Sequence, residues 1–178
     1  MKPLLFLDID GVINVDVEPY DEYVVEVPTE LIARNPFTWR GEGKTVTFSV
    51  CIPKDYTAWL GELSDAFEIV WASTWEKLAD IHIGPLVGMV GLNCVALSET
   101  PMEFRWVKNG DVGSWKWAGV RLYAGERPFV LVDDQVENLS LAHSIDSTST
   151  QAALQVRGGL RRSDVDDLLD FAVRNTSS

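Results

Sequence analysis

The chain has 178 residues, 46% hydrophobic and 24% charged, with seven Trp, seven Phe and four Tyr; this is the make-up of an ordinary globular protein with a sizeable core, not a disordered chain. Its longest apolar stretches, around Leu4 to Leu7 and Gly84 to Val90, fall well below the roughly 20 residues of a membrane span, and Met1-Lys2 leads into a run too short for a signal peptide before it meets Asp8 and Asp10. Fifteen Lys plus Arg against 27 Asp plus Glu give a formal net charge of -12, which repels phosphate backbones, so nucleic acid is not the default partner.

Residues 3–9, PLLFLDI, form a continuous apolar run ending in acid and glycine, the pattern of a strand buried on both faces of a parallel sheet, and the first strand is predicted over 2–10. From Asn14 to Ile52 the β-branched stretches VVEV and TVTFSVCI flank RGEGK, which predicts a β-rich flap inserted after that strand. Tyr56, Trp59, Leu60, Leu63 and Phe67 follow helical spacing, and a buried strand resumes over 68–72. A helix is predicted over 76–83 after Ser73-Thr74, stopped near Gly84-Pro85. A short strand at 93–97, a helix at 114–123, a strand at 129–132 and a weaker strand at 151–156 follow. HSIDSTSTQ at 143–151 reads as a solvated loop, and Ser163 as the cap of a last helix striped by Val165, Leu168, Leu169, Ala172 and Val173. The alternation predicts an α/β protein, a Rossmann-like three-layer sandwich with a mostly parallel sheet, in one domain over 1–178. Cys51 and Cys94 have neither disulfide density nor ligand spacing, which reads as free thiols in a reducing compartment and points to the cytoplasm.

In open parallel sheets ligands bind beyond the carboxyl ends of the strands. Those ends carry Asp8, Asp10 and Gly11, then Ser73 and Thr74, then Asp133 and Asp134, with Lys116 on the helix preceding the last of these strands. Four carboxylates meeting at one edge call for a cation, and Mg2+ suits oxygen ligands that also hold substrate phosphates. On a strand, Asp8 and Asp10 project to one face and reach one reacting group, and Gly11 permits a sharp turn and close approach of a ligand.

LDIDGVIN at 7–14, VWASTW at 70–75, Lys116 in WKWAGV and LVDDQ at 131–135 resemble the four ordered motifs of the haloacid dehalogenase (HAD) superfamily of phosphotransferases. More narrowly, the chain resembles small bacterial and phage HAD domains, including those of RNA-repair proteins. The resemblance implies a phosphatase in which Asp8 is the nucleophile and Asp10 the general acid/base. It implies that Ser73 holds a phosphoryl oxygen, with Thr74 the alternative one residue on, and that Lys116 offsets charge. Asp133, with Asp134, Asp8 and the backbone carbonyl of Asp10, would complete an Mg2+ site.

The expected substrate is a phosphorylated small molecule or nucleotide, with a nucleic-acid end as an alternative and no membrane partner. The flap over 14–52 is the one sizeable candidate for a cap, and 90–114 is too short for a large one, which predicts an open site, with TFSV, Trp39, Arg40 and Lys44 of the flap as candidate contacts. Trp71, Trp75, Trp115 and Trp117 are expected in the core, His82 and His143 as structural residues, and Arg161-Arg162 as a surface pair. Rival readings are a metal-dependent nuclease and a signalling receiver that accepts phosphate on aspartate.

Overall fold

The structure, a computed structural model, describes residues 1–28, 45–99, 112–136 and 150–176, with side chains described from Lys116 onward in the third stretch. Strands β1 (Leu4–Leu7), β4 (Glu68–Trp71), β5 (Asn93–Cys94), β6 (Phe129–Asp133) and β7 (Gln151–Gln155) form one sheet in the order β5-β4-β1-β6-β7. Every pairing within it is parallel. Helices α1 (Tyr56–Ala66), α2 (Val112–Ala124) and α3 (Arg162–Asn175) flank it.

The alternation of side chains along β1 and β6 sorts the core into two layers. Leu5, Leu7, Val130 and Val132 join Tyr56, Leu60, Leu63 of α1 and Val165, Leu168, Phe171 of α3. Leu4, Phe6, Phe129 and Leu131 face the other way, onto Trp117, Val120 and Ala124 of α2. All four residues of β1 are fully buried, which explains why its sequence is continuously apolar. The expected α/β sandwich is therefore observed.

Strands β2 (Tyr20–Pro28) and β3 (Thr45–Pro53) form the flap as a separate antiparallel ribbon, paired from Tyr20↔Pro53 to Pro28↔Thr45, between β1 and α1. Val25, Val27, Val50 and Ile52 on its inner face join the α1/α3 layer of the core. The RGEGK turn, Trp39, Arg40, Lys44, His143 and most of the 143–151 loop lie outside the described residues, as does the Trp115 side chain.

Several local elements depart from the sequence pattern. The first strand ends at Leu7 rather than Asp10: the Asp8 N–H still reaches the Val132 carbonyl at 3.0 Å, but the N–H groups of Val12, Ile13 and Asn14 then turn back onto the Ile9 carbonyl. Over 76–83 there is no regular α-helix; a π-helical turn at Ala79–Ile83 runs into a 3-10 turn at Gly84–Val87. Glu76 sits at φ 46° and breaks the helical entry, and Pro85 has no N–H to continue the ladder. Ser163 lies inside α3 instead of capping it; the cap is Arg161, whose N–H donates to the Asp164 carboxylate at 2.7 Å. Phe171 takes the place expected for Val173, which is 79% exposed. Arg162 pairs on the surface with Glu62 and Asp166, each at 2.8 Å, as expected of a surface cation.

Gly159 ties the end of the sheet to the turn after β1. Its N–H donates to the Gly11 carbonyl at 3.1 Å, its φ is +92°, and a Cβ there would run into the Tyr56 hydroxyl and lie 3.0 Å from a Val15 methyl. Both the backbone conformation and the space require glycine. Gly159→Ala is expected to destabilise the fold by about 2 kcal/mol or more, lowering the thermal midpoint by at least ~4 °C, as measured by calorimetry.

Candidate active site

The chain order moves outward from β1 through β4 to β5, then crosses to β6 and β7 on the other side. Strand order therefore reverses between β1 and β6, the position at which open parallel sheets leave a crevice beyond their carboxyl ends. The register Leu7↔Val132 puts Asp8 and Asp133 side by side there. Side-chain parity sends both toward the α2 layer, the layer of Phe6 and Leu131.

Lys116 of α2 meets them. It is only 3% exposed, and its ammonium lies 2.6 Å from Asp8 Oδ2, to which it donates a hydrogen bond, and 2.5 Å from Asp133 Oδ2. This fully buried Asp133 oxygen has no partner other than Lys116 among the described residues. Asp8 Oδ1 accepts the Ile9 N–H at 2.8 Å, and Asp133 Oδ1 accepts the Gln135 N–H at 2.7 Å, an Asx-type turn that aims the carboxylate. Asp134 is half-buried; its carbonyl accepts from Gln155 Nε2 at 3.1 Å.

Asp8, Asp133 and Asp134 each offer a carboxylate oxygen within 4.8 Å of the others. Three carboxylates gather at one corner with a single ammonium, which touches Asp8 and Asp133 directly; this donor set suits a hard divalent cation. Gly11 completes the wall. Its φ is +78°, and a Cβ there would stand 2.6 Å from the Asp134 carboxyl carbon, so glycine leaves the room that Asp134 occupies.

Burial dominates the electrostatics. It raises Asp8 from its ordinary 3.8 to about 6, opposed by the Lys116 charge and assisted by Asp133. Asp134 is raised by burial and then by Asp133. Burial also works against the Lys116 charge, but Asp8 and Asp133 together outweigh it and hold its pKa above the usual lysine value. Lys116 is thus no solvated surface charge.

The other residues singled out from the sequence lie around this group. Ser73 is buried just beyond β4, one residue past Ala72, whose N–H bonds the Leu7 carbonyl; Thr74 is half-buried. Asp10 does not share the buried corner through its side chain. Because the strand ends before it, its exposed carboxylate instead accepts from Asn14 Nδ2 at 2.9 Å and from Trp75 Nε1 at 3.0 Å. Trp71 and Trp117 belong to the core, and Trp75, half-buried, packs against it beside Asp10, with its ring centroid 4.9 Å from that of Phe48 on β3. The sequence pattern points to no role for Asn14 and to packing alone for Trp75. The available signal was the indole N–H itself, which seeks an acceptor wherever it is not wholly enclosed.

Comparison of the chain with protein-family models, with curated proteins and with solved structures finds no match. Among the described residues no helix is long and apolar enough to cross a membrane. What stands is a parallel five-stranded Rossmann-like sheet with an Asp cluster able to hold a metal ion at its switch point.

Magnesium at about 100 times its dissociation constant is expected to stabilise the fold by ~2.7 kcal/mol, a rise of roughly 5–10 °C in thermal midpoint; Asp133→Asn should abolish the rise in a thermal-shift titration with and without EDTA. The pH dependence follows from Asp8. Its folded-state pKa of about 6 exceeds the ordinary 3.8, so ionising it weakens the cation-free fold progressively over that interval and fully above it. Asp8→Asn should therefore make the cation-free protein more stable than wild type above pH 6, by ~1–3 kcal/mol, with the difference vanishing below about pH 4. Denaturant melts at both pH values check this.

Proposed function

We propose that the chain is a single-domain, Mg2+-dependent phosphomonoester hydrolase that works through an aspartyl phosphate, as the resemblance of its four motifs to the HAD superfamily implies. The observation that carries the proposal is Lys116 buried between Asp8 and Asp133, with Asp134 beside them, at the switch point of a parallel sheet.

In this reading an Asp8 oxygen attacks phosphorus as the bond from phosphorus to the leaving oxygen breaks, and Asp10 gives that oxygen its proton. Asp10, now a carboxylate, takes a proton from the water that attacks the acyl phosphate, which frees inorganic phosphate and restores Asp8. Ser73, through its hydroxyl and backbone N–H, holds a phosphoryl oxygen, with Thr74 one residue on as its alternative; Gly11 lets the substrate approach the backbone. Lys116 keeps Asp8 ionised and offsets the charge of the phosphoryl group beside it. Asp8, Asp133, Asp134 and the Asp10 backbone carbonyl would hold Mg2+, which when bound supplies further neutralisation of phosphate charge. Asp10 is the residue that a phosphate-accepting receiver would leave without a task, and Lys116 and Ser73 are those a nuclease without a covalent intermediate would not require. Substrates with accessible phosphates, nucleotides and nucleic-acid ends among them, suit a site bordered by a ribbon.

The test is phosphate release from a panel of monoesters, nucleotides and 3′-phosphorylated oligonucleotides, with Mg2+ or EDTA. Release that needs Mg2+ and falls by at least ~10³-fold in Asp8→Asn is expected. Strand scission without phosphate release would turn the assignment to a nuclease, and a phosphorylated protein that does not turn over would turn it to a receiver.

A further inference from the structure

Both oxygens of the exposed Asp10 carboxylate are occupied: Oδ1 by the Asn14 amide and Oδ2 by the Trp75 indole. Each partner is itself fixed. Asn14 Oδ1 accepts the Cys51 N–H of β3 at 2.9 Å, which sets the amide so that its nitrogen faces Asp10. The Trp75 ring packs against Phe48, inclined by 55°. Behind Trp75 the backbone is strained, since Glu76 is the non-glycine residue that adopts positive φ among the described residues. That conformation is pinned from both sides: the Glu76 N–H donates to the Ser73 carbonyl at 2.9 Å, and its carboxylate accepts the Ser98 N–H at 2.5 Å. Strain of this kind persists where the surroundings impose it, and it gathers at functional sites.

We propose that Trp75 is a positioning residue for Asp10, its indole N–H holding the carboxylate in the orientation from which the proton reaches the leaving oxygen. The inference rests on the phosphatase reading above. An indole nitrogen is a donor only, and the amide nitrogen of Asn14 likewise. Neither can accept the proton of a protonated Asp10, so neither draws it away from the leaving oxygen, and each Asp10 oxygen keeps a second lone pair on which the proton can sit. A lysine or a histidine in the same place would alter the charge or exchange the proton; tryptophan does neither.

Trp75→Phe keeps a ring against Phe48 and removes the donor. The readout is kcat/KM over a series of phosphate monoesters, from p-nitrophenyl to simple alkyl, in Mg2+; this ratio reports only the steps through departure of the leaving group. Alkoxide departure needs the proton and p-nitrophenolate departure scarcely does, so the variant should lose about tenfold more on alkyl esters than on p-nitrophenyl phosphate. In an Asp10→Asn background the same change should have no further leaving-group-dependent effect, because the two residues act as one unit. The Mg2+-induced thermal shift, which depends on Asp8, Asp133 and Asp134, should match wild type and so report an intact fold. Equal losses on all esters, no loss, or losses that multiply with Asp10→Asn would overturn the positioning role and leave Trp75 a packing residue. A wild type inert on every ester would overturn the phosphatase reading and this inference with it.

Discussion

The buried acids at the carboxyl edge of the sheet depend on one ammonium group shared by two carboxylates. Lys116 reaches Asp8 and Asp133 from α2 across the layer that also contains Phe6 and Leu131. Removing such charges from water is costly, and their mutual attraction offsets that cost only with close contact and further hydrogen bonds. Here the Ile9 and Gln135 N–H groups supply those bonds. Asp134 adds a third carboxylate to the two that Lys116 touches. A site arranged this way is less stable alone than with a positive ligand, the usual relation between binding function and stability.

The placement of those groups follows from backbone geometry more than from the acids themselves. A central strand flanked by parallel neighbours on both sides fixes which residues stand abreast, and side-chain parity fixes which face they enter. The same geometry explains why Asp10 behaves differently from Asp8. Once the chain coils onto the Ile9 carbonyl, strand parity no longer governs, and the Asp10 carboxylate is set by Asn14 and Trp75. Two acids separated by one residue thus occupy different environments, one raised by burial and the other at the rim, facing solvent.

Much of this was legible in the sequence where a single strong pattern governed. The apolar runs of β1, β4 and β6 end in acids or hydroxyls, so the sheet, its class and the meeting of Asp8, Lys116, Asp133 and Asp134 could be anticipated from period and order alone. The flap was visible because β-branched residues cluster on both sides of a glycine-rich stretch. What was not legible depended on contacts distant in sequence or on backbone strain. Ser163 looked like a cap, but the Asp164 carboxylate reaching back to Arg161 moved the helix start. A regular helix after Ser73 failed because Glu76 takes a left-handed conformation that its distant partner Ser98 sustains. Trp75 packs against the core as its aromatic mass argues, and what no local pattern shows is the approach of Asp10 and Phe48 from distant parts of the chain.

The ribbon of β2 and β3 leaves and rejoins the body at one directly paired position, Tyr20 opposite Pro53. Matched residues added or removed beyond the core-facing Val25, Val27, Val50 and Ile52 would change the ribbon's reach without separating β1 from α1. The freedom is quantised, however. Val25 and Val27 face the core while Val24 and Glu26 face water, so a change of one residue in one strand would invert its faces, whereas matched steps of two preserve them. An evolving lineage can remodel the border of its site in even increments, leaving the buried charge centre untouched.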